Sequence, residues 1–255
     1  MNRSLIVSMW AVAALTTGCG GGGGDSGAAP SPSPAGSPSP AAYNLRAAWQ
    51  NFLTSTGTHS WSVSGTASDH KAYTLTLSTA PGLSQVFPVN GNTYATSDAT
   101  VGFGLSGLAL TSTVTRNFYD ATTFAVAGTR TTINAQTPTC SAAAAAATAL
   151  PTAAHIGDSG TLESFNDLNG CVQSSTTTGS SSVTAWSLQN AANPAPTAGA
   201  LSLFCQLTTV RNTSGTQIER DSICIEVSPD GTLGSRAWVD IEQSGFSFIG
   251  TTTPY

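Results

Sequence analysis

The chain has 255 residues, of which 8% are charged and 40% are apolar, and its formal net charge is −5. Disordered chains usually combine high charge with low apolar content, so this composition favours a folded protein over most of the length. Lys71 is the only lysine. A basic stripe that would neutralise phosphates is missing, which argues against nucleic acid as a partner.

The N-terminus carries the features of an export signal. An apolar run at residues 5–15 is too short to span a bilayer as a permanent helix. The following Leu15-Thr16-Thr17-Gly18-Cys19 resembles the lipobox of bacterial lipoproteins, although Thr16 stands where that family usually has leucine. The resemblance implies a signal peptide at residues 1–18 and a lipid anchor on Cys19, with an added acyl chain such as palmitate. Ordinary signal-peptidase cleavage, a retained helix and an accidental apolar start are the alternatives.

The cysteine count supports the lipid anchor. The chain has five cysteines, and an odd number in an exported protein leaves one without an intramolecular partner. Assigning Cys19 to lipid leaves Cys140, Cys171, Cys205 and Cys224 for two disulfides in an oxidising compartment. Sequence proximity favours Cys140 with Cys171 and Cys205 with Cys224, and two other pairings remain open.

Residues 19–42 combine the lipidated cysteine with a Gly-, Ser- and Pro-rich segment that has no large apolar side chain. Alternating prolines hold such a chain extended at about 3 Å per residue, so the segment is predicted to be a tether. Gly20, directly after the cysteine, resembles the residue found there in lipoproteins sorted to the outer membrane of a two-membrane cell. The sequence therefore predicts a cell-envelope protein that contacts the outer membrane through its lipid.

The folded part is predicted to be mainly β, with antiparallel sheets of sandwich or open-barrel type and one short N-terminal helix. After the N-cap residue Asn44, apolar residues recur at helical spacing. Beyond residue 58 the pattern alternates and is rich in Thr, Val, Ser and aromatic residues, which is typical of short strands. We expect a first β module at residues 43–139 and a second at 140–255. An alanine run at residues 142–147 near the boundary is long enough for about one helical turn. The residues at helical spacing are Leu45, Ala48, Trp49, Phe52 and Leu53, and they are expected to face the core.

Two loops near the C-terminus predict successive hairpins. Residues 212–216 and 228–232 each fit a type I turn followed by a left-handed glycine. The resulting register puts Cys205 and Cys224 on opposite faces, which conflicts with a disulfide between them. A two-residue turn would align the cysteines but would spoil the apolar face. That predicted core face comprises Leu201, Leu203, Cys205, Leu207, Ile223, Ile225, Val227, Leu233, Ala237, Val239 and Ile241.

The opposite face of this meander is the candidate binding surface, formed by Trp238, Arg236, Asp240 and Arg220. An exposed aromatic ring bordered by charges is suited to a sugar ring or to an apolar patch on a partner protein. The alternative is that Trp238 is buried in an interface with the helix or with the other β module, because large tryptophans are mostly buried.

The remaining motifs do not assemble a catalytic set. Residues 152–160 contain fragments that resemble the histidine and serine boxes of trypsin-like proteases, but His155 and Ser159 are only four residues apart. The histidines and cysteines lack zinc spacing, and no glycine motif predicts a nucleotide cofactor. The acidic and amide residues that follow lack calcium-loop spacing, so they are interpreted as a solvated acidic loop. These are Asp158, Glu163, Asp167 and Asn169.

The favoured hypothesis is a non-enzymatic envelope lipoprotein without metal or cofactor, which binds a partner protein or a glycan or has a structural role. The alternative is an exported hydrolase with an active site near His155, Ser159 and Asp158, or one built from carboxylates whose pairing the sequence does not give. The two hypotheses differ in the site they require: a concave pocket where a histidine or two carboxylates meet within hydrogen-bond reach for the hydrolase, and an exposed aromatic face without such a pocket for the binding protein.

Overall fold

A computed structural model describes residues 41–54, 59–190 and 202–252. These residues form one helix, α1 (Leu45–Thr54), followed by twelve strands, which confirms the predicted mainly antiparallel β fold with one short N-terminal helix. The signal peptide, Cys19 and all but the end of the tether lie outside the described residues, as does Leu201. The strands are β1 (His59–Ala67), β2 (Ala72–Val86), β3 (Thr93–Leu105), β4 (Leu108–Tyr119), β5 (Val126–Ile133), β6 (Thr139–Ala143), β7 (Ser159–Leu168), β8 (Thr177–Asn190), β9 (Ser202–Arg211), β10 (Gln217–Val227), β11 (Leu233–Gln243) and β12 (Phe246–Thr252).

The strands form one closed barrel in which each strand pairs with its neighbours in sequence and β1 pairs with β12. Gly65 of β1 lies opposite Gly250 of β12 at this closing seam. A Cβ atom on Gly65 would collide with the backbone carbonyl of Ile249. The missing side chain at Gly65 therefore allows the first and last strands to approach and close the barrel.

The expected boundary between two β modules, at residues 139/140, falls inside β6. This strand pairs with β5 on one side and with β7 on the other. Residues 43–139 and 140–255 therefore contribute strands to one closed barrel instead of two separate sheets. The alanine run ends β6 and continues as irregular chain without a helical turn. Periodicity describes each strand alone and carries no information about which strands pair, so it could not distinguish these arrangements.

Side chains alternate between the barrel interior and the outer surface. In β2, Tyr73, Leu75 and Leu77 are buried inside, whereas Thr74 and Thr76 between them are exposed. This period of two is the pattern that the sequence showed, because successive side chains of a strand point to opposite faces.

Helix α1 plugs one end of the barrel, which we call the helix end and which includes the loops at residues 87–92, 120–125, 144–158 and 228–232. Its apolar residues, predicted to face the core, are all buried in the same core cluster as the barrel interior. The indole nitrogen of Trp49 donates a hydrogen bond to the Phe124 carbonyl at 3.0 Å. The side-chain amide of Asn51 donates to the Gly231 carbonyl at 3.0 Å. Two barrel loops thus hold the plug through its side chains.

The start of the helix is fixed by its cap and by the chain before it. The Asn44 side-chain oxygen accepts a hydrogen bond from the Ala47 backbone N–H at 3.0 Å, as the N-cap prediction required. Tyr43 forms a two-residue bridge with Ala154 in the loop between β6 and β7. The chain that precedes α1 is therefore bound at the helix end.

Both predicted hairpin loops are present. In the loops 212–216 and 228–232, the first residue's backbone N–H donates to the last residue's carbonyl at 2.9 Å. Gly215 and Gly231 have φ angles of 78° and 89°, the left-handed positions that the sequence assigned to glycine. The predicted pairing of Cys140 with Cys171 and of Cys205 with Cys224 is also confirmed.

A bulge between β9 and β10 resolves the conflict over Cys205. Their pairing shifts by one residue between Gln217 and Glu226. The shift brings Cys205 opposite Cys224 on the outer face of the sheet. Neighbouring side chains, including Trp238, pack around the two cysteines there and leave neither exposed. The predicted core face is correct for β10 and β11 but wrong for β9, because the bulge reverses the faces of that strand. The β9 residues that point outward are Leu203, Cys205 and Leu207.

The external disulfide should contribute measurably to stability. The bond joins residues separated by 19 positions, and closing a loop of this size stabilises a protein by about 3 kcal/mol through the entropy of the unfolded chain. We expect the double variant Cys205→Ser/Cys224→Ser to lose about that free energy of unfolding, measured by urea denaturation without reductant. The double variant Cys140→Ser/Cys171→Ser is the comparison. An unchanged urea midpoint for Cys205→Ser/Cys224→Ser would contradict a stabilising disulfide between these two cysteines.

Candidate functional site

A cavity of about 460 Å³ opens at the helix end between α1 and the wall formed by β6 and β7. The helix packs mainly on β2, β3 and β11, and β7 lies across the barrel from them. Off-centre packing of the plug therefore leaves the β6–β7 side of the mouth unfilled by the described residues. The volume falls in the range of small-molecule sites.

The walls of the cavity are mainly apolar. Trp49 of α1 and Phe124 of the loop between β4 and β5 provide aromatic surface. Leu162 lines the β7 side, and the alanine-rich segment 143–150 lines the rim. Ala143 points into the barrel beside Phe165, yet it is exposed, because the cavity reaches into the barrel mouth. Small alanine side chains along one wall leave the space that larger residues would fill.

Phe124 adopts a strained backbone conformation at the rim. Its φ angle is 59°, a left-handed value that is unusual for a bulky residue. The Phe124 N–H donates to the Asp120 carbonyl at 2.8 Å, and its own carbonyl accepts the Trp49 indole N–H. The Asp120 carboxylate accepts bonds from the backbone N–H groups of Thr122 and Thr123, which lower its pKa. Strained residues that are held in this way are concentrated at binding and catalytic sites.

Glu163 lies within the cavity lining. It lies opposite Thr184 of β8, whose hydroxyl shares an interior hydrogen bond with Thr208 at 3.0 Å, so the Glu163 side chain also points inward. Its carboxyl accepts and donates no hydrogen bond among the described residues. Burial raises the pKa of Glu163 from 4.5 to about 8. The carboxyl is therefore mostly protonated at neutral pH.

The prediction of a solvated acidic loop is wrong for two of its four residues. Glu163 and Asp167 both lie on β7 and point into the barrel, where Asp167 accepts a hydrogen bond from the Ser141 hydroxyl at 2.9 Å. Alternation was obscured there because an irregularity in the β7–β8 pairing falls between Thr161 and Glu163. Inward-facing acids are rare in strands, and only the barrel shows that these carboxyls are enclosed.

Arg46 is the cation at the rim of the cavity. It lies on the exposed side of α1, and its backbone N–H donates to the Pro151 carbonyl at 3.2 Å. No ion pair involves its guanidinium within the described part of the chain. The cavity thus combines an apolar wall, an inner protonated carboxyl and a charged rim.

The predicted binding surface is partly assembled on the outer face of β10 and β11. Trp238 lies opposite Cys224, and Asp240 lies opposite Ser222. Trp238 is half-buried against the external disulfide. Helix α1 packs inside the barrel mouth, so it is not the interface expected for Trp238 in the alternative interpretation.

The charged residues of this surface are less accessible than expected. Arg220 is buried, and burial lowers its pKa, while burial raises the pKa of Asp240 to about 6. The backbone N–H of Arg236 donates to the Glu226 carboxylate at 3.3 Å. The surface places Trp238 beside charged residues but with limited exposure.

The residues of the hydrolase hypothesis do not form a catalytic pair. His155 and Asp158 are exposed, with His155 Nδ1 4.0 Å from Asp158 Oδ2, and the Asp158 carboxylate accepts the His155 backbone N–H. No hydrogen bond among the described residues joins His155 to Ser159. The segment forms a turn at Gly157 that leads into β7.

Within residues 41–54, 59–190 and 202–252, no group of three or more His, Cys, Asp or Glu side chains is placed to hold a metal ion. The described part of the chain also contains no helix of the length and apolarity needed to cross a membrane. Comparison with protein families, curated proteins and solved structures found no match. Function is therefore inferred from the residues of the sites themselves.

The half-buried Glu163 carboxyl, with its raised pKa, should make folding stability depend on pH. Below pH 4.5 Glu163 is protonated in both folded and unfolded chains, and between pH 4.5 and about 8 only the unfolded chain ionises. Stability should therefore fall across this interval and level off above it. Relative to Glu163→Gln, we expect the wild type to lose about 1 to 3 kcal/mol between pH 4.5 and 9, because the open cavity hydrates part of the charge.

Urea unfolding at several pH values measures this difference. The Asp158→Asn variant is the control, because it makes the same carboxylate-to-amide change at an exposed position outside the cavity lining. A constant stability difference between the wild type and Glu163→Gln over the whole pH interval would contradict a half-buried, protonated Glu163.

Proposed function

We propose that this protein is an exported, lipid-anchored binding protein of the cell envelope, without enzymatic activity, that holds a small apolar ligand in the helix-end cavity. The observation that carries the binding role is an apolar cavity of about 460 Å³ with an unpartnered carboxyl in its lining. Ligand sites characteristically combine apolar walls with a few polar groups that orient the ligand.

The disulfides support the exported location. Four of the five cysteines pair with each other, and such bonds persist in oxidising compartments outside the cytoplasm. Cys19 is then the one cysteine without a disulfide partner in this arrangement, which fits a sulfur that carries lipid. The proposed location is the outer membrane, with the membrane contacted through the lipid on Cys19.

A partner protein or a glycan is the second candidate ligand, bound at the outer surface around Trp238. Its support is the indole ring beside Arg236 and Asp240 on one strand. The limited exposure of Trp238 makes the helix-end cavity the stronger site.

Lipidation is tested by Cys19→Ser. We expect this variant to lose all labelling by radioactive palmitate and to move from the membrane pellet to the soluble fraction, because the thioether and its acyl chains are the only anchor proposed. Ser26→Ala in the tether is the control and should label as the wild type does. Membrane retention of Cys19→Ser would refute the anchor.

The cavity is tested by filling it. Ala147 lines the cavity and is half-buried, so a phenylalanine there should occupy the ligand's space. In the full-length chain carrying Cys19→Ser, which needs no detergent, we expect Ala147→Phe to weaken binding of the uncharged fluorophore N-phenyl-1-naphthylamine at least tenfold. Ser62→Phe adds the same ring to the outer face of β1 and is the control. Equal fluorescence titrations for both variants would refute the proposed site.

A further inference from the structure

Among the described residues that line the helix-end cavity, Glu163 and Tyr94 carry half-buried polar side chains. The cavity walls near Trp49, Val126 and Leu162 are apolar, and Glu163 supplies the carboxyl between them. Arg46 and Asp120 lie on exposed parts of the rim, where water remains available to them. The Tyr94 hydroxyl accepts a hydrogen bond from the Asn90 side-chain amide at 3.0 Å, so Glu163 is the half-buried polar side chain of the lining that has no partner among the described residues.

The protonated carboxyl of Glu163 has an O–H donor that no described residue accepts. A ligand that fills the cavity excludes water from this donor, and a buried donor without an acceptor costs about 1 to 3 kcal/mol. A ligand with an acceptor at the same point removes that penalty. The geometry thus favours an acceptor-bearing ligand over a purely hydrocarbon one.

Charged ligands fit the interior less well. A cation would pair with Glu163 only after the carboxyl lost its proton, which costs free energy at a pH below its raised pKa. A cation would also be repelled by Arg46 at the rim. An anion would place its charge in an apolar wall beside a carboxyl, where desolvation is costly. Arg46 remains available to an anion only at the exposed rim.

We infer that the cavity binds an uncharged apolar molecule that carries a hydrogen-bond acceptor such as a carbonyl oxygen, and that the Glu163 carboxyl donates its proton to this acceptor. The inference rests on the proposed binding function and names the ligand chemistry of the same cavity. Trp49 and Phe124 line the cavity and add aromatic surface for a ring system in the ligand.

The position of the cavity agrees with an apolar ligand. Tyr43, directly before α1, is bound to Ala154 at the helix end, so the proposed tether leaves the barrel at the end that carries the cavity. A lipid on Cys19 would link this end to the membrane through at most several tens of ångströms of extended chain. Apolar molecules partition into membranes, and the cavity would lie within reach of that source.

Four naphthalene probes that differ only in the head group test the inference. They are 2-acetylnaphthalene, naphthalene, 2-(aminomethyl)naphthalene and 2-naphthoate, titrated calorimetrically into the full-length Cys19→Ser chain at pH 6.5. We expect the ketone to bind at least threefold more tightly than naphthalene and at least tenfold more tightly than the amine or the naphthoate. At pH 9.5 the ketone's advantage over naphthalene should disappear, because the carboxylate has no proton to donate.

Two variants of Glu163 separate hydrogen bonding from shape. Glu163→Gln retains an N–H donor at similar volume and should keep the ketone's advantage at both pH values. Glu163→Leu removes the donor and should abolish it. Thermal unfolding verifies that both variants fold. If Glu163→Leu fails to fold, the inference is tested by comparing how the ketone's advantage changes with pH in the wild type and in Glu163→Gln.

The outcomes distinguish this inference from the proposed function. If none of the probes binds, and N-phenyl-1-naphthylamine binds Ala147→Phe as it binds Ser62→Phe, the binding function itself is refuted. If the probes bind and Ala147→Phe weakens them, but the amine or the naphthoate binds best, the ligand chemistry is wrong while the binding function stands. Equal binding of the ketone and naphthalene at pH 6.5 would also overturn the inference.

Discussion

A closed barrel of twelve strands must fill a wide interior, and this constraint shapes the rest of the molecule. Side chains alone fill a barrel of about eight strands, whereas barrels of about sixteen leave an open channel. Here the side chains are supplemented by α1, which buries five apolar residues at one end. The helix is therefore part of the barrel core and not an external appendage, and its removal would expose the same apolar interior that it covers.

The plug fills the mouth unevenly, and the cavity follows from that asymmetry. Trp49 and Asn51 tie α1 to loops at 120–125 and 228–232, while its apolar face packs mainly on β2, β3 and β11. The opposite wall carries the alanine-rich segment, whose small side chains line the cavity. Filling this space with larger residues would improve packing by dispersion and burial. The proposed ligand would occupy this open space.

Glu163 connects the packing to the electrostatics. A carboxyl enclosed by apolar walls loses hydration, so its protonated form is favoured and the folded state is weakened at higher pH. Because desolvation of the carboxyl costs free energy, a leucine at position 163 would stabilise the fold more than the glutamate does. The recognition role that we propose for Glu163 would account for its position, because the proton that keeps the carboxyl neutral inside the barrel can be shared with an acceptor on a ligand.

Local chemistry was sufficient to predict α1, the glycines of the two C-terminal hairpin loops and the mainly antiparallel β class, and proximity in the sequence favoured the observed cysteine pairing over the two others that remained open. Each depends on spacing within a short stretch of chain or on proximity in the sequence. Closure between β1 and β12, the bulge that turned Cys205 outward and the enclosure of Glu163 were decided only by the tertiary structure. These depend on which strands meet across long separations and on where a helix leaves space, and hydrophobic periodicity does not record either relation.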